Sequence, residues 1–157
     1  MAKEYLTIDE TRDMMLVVAD KIIEAEPILT DADRALGDGD HGIGMERGMT
    51  AVKEALDGNE FSSVGKVFMG VGMAMMSSMG GASGAVFGTL FRSGGKALKD
   101  AESLDGAGVA TFWKEGSENV MSRGGAKPGD KTMVDSLVPA AEKSAAATGS
   151  VSEALIA

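Results

Sequence analysis

Apolar residues recur at intervals of three and four along most of this chain, and frequent glycines do not break that rhythm. Met14, Val18 and Ile22 fall on one helical face, with Leu16 and Ile23 alongside, and Val67, Val71, Met75 and Met79 fall on another. The alternation a half-buried strand needs is scarce. With 22 glycines, 12 methionines and only seven aromatic residues (5 Phe, 1 Trp, 1 Tyr), the core must be filled by small contacts and flexible thioethers. The pattern predicts an all-α fold whose helices pack closely through small residues. A chain of 157 residues is long enough to bury a real core, and 1–157 reads as one domain.

Local signals place the helices. Thr7-Ile8-Asp9-Glu10 is a capping box that opens the first, and Pro27 is expected to end it. Further helices are expected over 43–56, 62–79, onward through Phe87, Leu90 and Phe91 to 98, then over 106–122 and 131–147. Asp57-Gly58-Asn59 stops the second, and a glycine-rich connection spans 123–130. Pro139 predicts a kink or an early break in the last long helix. Ser150-Val151-Ser152-Glu153 is another capping box, yet Ala157 follows after barely two turns. A frayed tail and a domain cut before its last elements both fit that ending.

Composition excludes several functions. The net charge is −9, with no basic stripe and no interleaved aromatics, which argues against nucleic acid as a partner. No apolar run approaches the roughly 20 residues of a membrane span, and no signal peptide is visible at the N-terminus. The absence of cysteine removes disulfides and thiolate metal sites, and a cytoplasmic location is expected.

The chemistry concentrates between residues 33 and 42. Asp33, Asp38, Asp40 and the only histidine, His41, lie within nine residues, with glycines beside the last two acids. Like charges held together call for a neutralising cation, and hard oxygen donors favour Mg²⁺ or Ca²⁺. An EF-hand register fails, because counting from Asp38 puts Ile43 and Met49 where Gly and Glu are required. Acids that merely favour a helix dipole would explain one aspartate; three fit a metal-phosphate site better. His41 could serve as nucleophile, base or phosphate ligand, and its place at a helix start suits the last of these. Gly80-Gly81-Ala82-Ser83-Gly84, with the Ser77, Ser78 and Ser83 hydroxyls, could cradle a phosphate. The four-residue spacing of Gly80, Gly84 and Gly88 fits close helix packing equally well. Gly124 to Thr132 nearly spells a Walker A loop, but Asp130 intrudes and no strand precedes it, so a turn with Asp130 capping the next helix is expected.

Three stretches together resemble the nucleotide-binding subunits of the dihydroxyacetone kinases, the DhaL or DAK2 family. They are Asp33-Arg34 with Gly37-Asp38-Gly39-Asp40-His41-Gly42, then Ser77 to Gly84 with Phe87-Gly88-Thr89, then Arg123-Gly124 with Pro128-Gly129-Asp130-Lys131-Thr132-Met133. The resemblance implies a barrel or bundle of antiparallel amphipathic helices holding ADP (or ATP) at one end through two Mg²⁺ ions. It implies Asp33, Asp38 and Asp40 as metal ligands, with His41, Gly42, Ile43, Gly44, Ala82 and Ser83 at the phosphates. Gly124 and Met133 would line the nucleotide further out. It also implies a subunit of the phosphotransferase-dependent type, in which a partner's phosphohistidine converts bound ADP to ATP in place. The phosphoryl group then passes to dihydroxyacetone on another subunit.

The resemblance starts within a few residues of Met1, so a subunit of the free-standing kind is expected. Two departures from the family pattern stand out. Gly44 occupies a position where the family has Asn, and further helices with an arginine and an Asp-Pro-Gly turn do not follow residue 157. A short C-terminus and weak nucleotide binding are therefore expected. A non-catalytic module that engages a transcriptional regulator, a homodimer, and a nucleotide domain of another small-ketose kinase or of a fatty-acid kinase are alternative outcomes of the same resemblance.

Overall fold

The computed structural model describes residues 3–147 and 149–157. The chain opens with a short strand, β1 (Tyr5–Thr7), followed by α1 (Ile8–Glu24), α2 (Glu26–Arg34), α3 (His41–Leu56), α4 (Val64–Ser78) and α5 (Gly81–Ala97). A second strand, β2 (Ser103–Asp105), leads into α6 (Gly106–Gly124), α7 (Val134–Ala146) and α8 (Val151–Ile156). The fold is all-α, as expected. No helix among the described residues is long and apolar enough to cross a membrane.

The Thr7 capping box forms in full: Thr7 Oγ1 accepts from Glu10 N, and a Glu10 carboxylate oxygen accepts from Thr7 N. Pro27 does not end a helix. The first helix stops at Ala25, and Pro27 sits in the opening turn of α2, where its missing N–H costs nothing. The acidic segment therefore begins inside a helix, with Asp33 in the last turn of α2. Pro139 likewise lies within α7 without breaking it; Val134, Leu137 and Ser144 of that helix are buried, and their packing offsets the lost backbone bond. The antiparallel pairing of Tyr5 with Asp105, Leu6 with Leu104 and Thr7 with Ser103 makes a ribbon of three-residue strands that helical periodicity gives no sign of.

The core is built from Met15, Met49, Val52, Leu56, Val64, Val67, Val71 and Met75, together with a ring cluster of Phe68, Phe91, Phe112 and Trp113. Five methionines (15, 45, 49, 75 and 79) are buried, as expected of filler. A smaller cluster, Leu90, Val120, Val134 and Leu137, joins α5 and α6 to α7. Consecutive helices from α3 to α7 pack against one another, and α1 covers α3. Glycines let α4 and α5 approach closely. A Cβ on Gly72 would meet Gly88 O at 2.9 Å, and one on Gly95 would meet Gly65 O at 2.8 Å. The tail is docked: Val151 N donates to Glu4 O at 3.0 Å, and Ser144 Oγ donates to Ala154 O at 2.8 Å.

Candidate functional site

The turn of α2 into the 35–40 connection aims Asp33 back across its own loop. Asp33 Oδ2 accepts from Gly39 N at 2.9 Å and from His41 N at 3.3 Å. Gly39 adopts a positive φ of 78°, and a Cβ on Gly37 would strike Asp33 Oδ1 at 2.5 Å. These two glycines are what let the chain fold over the carboxylate. Asp33, Asp38 and Asp40 each bring one carboxylate oxygen within 4.8 Å of the others. Among the described residues none of the three makes an ion pair; Arg34, the nearest cation in sequence, donates to Asp31 instead. Asp40 stands at the N-cap of α3, but its side chain does not cap that helix.

Beside this triad opens a cleft of about 430 Å³, lined by Asp40, His41, Ile43, Gly44, Arg47, Met79, Gly80, Gly81, Ala82 and Ser83. Two helix N-termini meet here. α5 starts after Gly80, which offers no side chain, so the amides of Gly81, Ala82 and Ser83 have no intrahelical acceptor. Of the amides that open α3, His41 N donates to the Asp33 carboxylate. Converging uncapped N-termini favour a negative ligand by exposed N–H groups and by their dipoles.

The structure divides the expected residues. His41, Ile43, Gly44, Ala82 and Ser83 line the cleft with Asp40. Gly42 faces the other way: a Cβ there would collide with Thr30 Oγ1 and Glu26 O, so this glycine seats α3 on α2. Gly124 is exposed at the end of α6 and Met133 is half-buried in the smaller apolar cluster; neither lines the cleft. Ser77 and Ser78 both donate to Ala74 O, within their own helix, which commits their hydroxyl protons away from any phosphate. Asp130 Oδ2 accepts from Lys127 N rather than capping α7. The glycine stripe splits: Gly84 and Gly88 face α4, whereas Gly80 and Gly81 have positive φ and open space. Arg47 was not foreseen. It stands three residues after Gly44 and seven after Asp40, a helical spacing that could have drawn attention to it.

The fold and cleft thus define a helical domain with a clustered acidic triad and two open helix N-termini at one end. The DAK2 domain model matches residues 35–157, and this chain belongs to that family. It is 42% identical over 114 residues to the PEP-dependent dihydroxyacetone kinase ADP-binding subunit DhaL of Escherichia coli, covering 73% of this chain and 54% of that protein. It is 40% identical over 116 residues to the corresponding subunit of kinase 1 from Listeria innocua, covering 74% and 58%. The chain therefore spans little more than half the length of these relatives. The crystal structure of the dihydroxyacetone kinase of C. freundii superposes with a TM-score of 0.74 at 25% identity, over 87% of this chain and 24% of that one.

Proposed function

We propose that this chain is the ADP-binding, phosphoryl-transferring part of a dihydroxyacetone kinase of the phosphotransferase-dependent type, working in the cytoplasm. The observation that carries the reading is the cleft on which two helix N-termini converge, with Asp40 of the Asp33, Asp38, Asp40 triad in its wall. The names of the DhaL relatives support the choice of ADP over other anions.

The donor set fits Mg²⁺. Oxygens about 2.1 Å from such an ion lie about 3 to 4.2 Å from one another, so the triad needs only slight contraction. Asp33, Asp38 and Asp40 would hold two Mg²⁺ ions, which supply charge neutralisation across the diphosphate oxygens. The remaining work falls to this chain's own groups. The amides of Ala82 and Ser83, the free Ser83 hydroxyl and the opening turn of α3 (His41, Gly42, Ile43, Gly44) orient the phosphates. Gly124 and Met133 would reach the nucleoside from the far side.

Two readings concern partners. A phosphohistidine-bearing subunit would recharge the nucleotide, and a dihydroxyacetone-binding subunit would accept the phosphoryl group. The sugar is set by that second polypeptide. A relative named L-erythrulose kinase, from Pectobacterium atrosepticum and 40% identical over 109 residues, supports an acceptor that varies among relatives.

Mn²⁺ substituted for Mg²⁺ and added with ADP tests the site directly. Manganese density or spin-echo coupling at all three aspartates supports the reading, and nucleotide bound without metal there rejects it. Transfer from a phosphohistidine donor to dihydroxyacetone, dependent on this chain, tests the activity.

A further inference from the structure

Among the described residues, Arg47 is the one cation that lines the cleft. It projects from the second turn of α3, and its Nη2 donates to the Met79 carbonyl at 3.0 Å, a contact between residues 32 apart in sequence. Two carboxylates on its own helix, Glu46 and Glu54, line the neighbouring groove with it, yet Arg47 makes no ion pair with either. Gly48, the next residue, packs so tightly on Met79 that a Cβ would lie 2.5 Å from its Cγ. Arg47 and Gly48 therefore grip the same residue from one turn of α3.

What they grip is the hinge of the phosphate cradle. Met79 ends α4, and the next two residues, Gly80 and Gly81, take φ values of 72° and 56°. Neither glycine touches anything within 4 Å of its Cβ position, so no side-chain packing fixes this turn. The orientation of the Met79 carbonyl sets the peptide plane that follows it. Held toward Arg47, that oxygen is kept from turning into the cleft, where it would repel an anion and replace an N–H donor.

We propose that Arg47 is a positioning residue for the terminal phosphate of the bound nucleotide, acting through the Met79 carbonyl to keep the amides of Gly81, Ala82 and Ser83 aimed into the cleft. The inference rests on the nucleotide reading above. Because a planar guanidinium can hold this oxygen with one N–H while offering others to the cleft, a lysine restores the charge but only part of the geometry.

The test compares Mg²⁺-ADP with Mg²⁺-AMP binding to the unaltered chain, Arg47→Gln and Arg47→Lys, with the amide exchange of Gly80 and Gly81 followed without ligand. Arg47→Gln should lower the ADP-over-AMP preference about tenfold, leave AMP binding near its original value and speed Gly80 and Gly81 exchange. Arg47→Lys should recover part of the preference. Equal losses for ADP and AMP, or an unchanged ratio in a folded variant, would overturn the role of Arg47 while leaving the nucleotide site standing. Failure of the unaltered chain to bind either nucleotide would overturn both. Should Arg47→Gln fail to fold, an unchanged ratio in Arg47→Lys would by itself refute the positioning role.

Discussion

Helix beginnings divide this molecule into two kinds. α1, α4, α6 and α8 each start on a side chain that accepts from their own first turn: Thr7, Ser63, Asp105 and Ser150. α3 and α5 do not, although Asp40 stands at the right place to cap the former. The exceptions among the rest have local explanations. α2 carries Pro27 in its first turn, and at α7 Thr132 Oγ1 accepts from Val134 N. A cap contributes about 1 kcal/mol, so two helices that forgo one at the same cleft give up stability where a ligand could replace it. Capped ends are about holding the fold; the open pair is about what the fold can hold.

The largest expected effect breaks the seat of the open end. Gly42→Ala forces a methyl into Thr30 and the Glu26 carbonyl and should cost about 3 kcal/mol or more, because backbone cannot yield as a side chain can. Thermal unfolding checks it. Gly44→Ala, two residues on, meets nothing within 4 Å and should be neutral or slightly stabilising, since alanine suits a helix better than glycine. A comparable loss at both positions would mean that α3 resists any change at its start, and that Gly42 has no special seat.

Next comes the acidic triad. Asp38→Asn removes one of three neighbouring negative charges, so the protein without ligand should melt at the same temperature or higher. The rise in melting temperature produced by Mg²⁺-ADP should largely vanish. In the unaltered chain that rise corresponds to about 2.7 kcal/mol at one hundred times the dissociation constant. A variant that loses stability yet keeps the full ligand response would move Asp38 into the structural class with the caps.

The caps should show the reverse behaviour at smaller scale. Thr7→Ala and Ser63→Ala should each cost about 1 kcal/mol in denaturant unfolding and leave the Mg²⁺-ADP increment unchanged. Thr7 has the added reciprocal bond from Glu10, and Glu10 is held below the usual carboxylate range by its bond to Lys3 and by the Thr7 backbone N–H.

How much of this was legible beforehand follows from the range of each interaction. Thr7 and Ser150 announce their helices because a cap is a contact across three residues. The Asp33, Asp38, Asp40 cluster is equally local and was readable as a group. Pro27 is ambiguous in sequence because the same residue ends one helix or opens another, and only the placement of Ala25 between two helices decides. The β1–β2 ribbon joins segments about a hundred residues apart through three residues each, too few to carry a period. Ser77 and Ser78 looked like phosphate donors until their helix claimed them, a bond to a carbonyl one turn back that any serine in a helix can make. Arg47 is easily passed over for the opposite reason, despite its helical spacing from Asp40 and Gly44. A lone cation on a helix face is ordinarily solvated, and its role appears only when α4 ends beside it.

The smallest effect concerns a carboxylate used for structure, against the three that are left open. Asp135 accepts from Gly129 N at 2.6 Å and from Thr132 N at 3.2 Å, closing the turn before α7. The Gly129 bond first, then those from the Thr132 and Lys131 backbones, hold its carboxyl below the usual range. A depressed carboxylate lends support above its unfolded value of about 3.9 and loses it as pH falls through the lower folded value. The turn should therefore stay closed at neutral pH and loosen only below about pH 4. In an NMR titration the Asp135 carboxyl carbon and the Gly129 and Thr132 amides should move together, with a midpoint under the ordinary aspartate value. A midpoint at or above that value, or amides that ignore the titration, would show the turn to be held without Asp135 and would place this acid with the uncommitted ones.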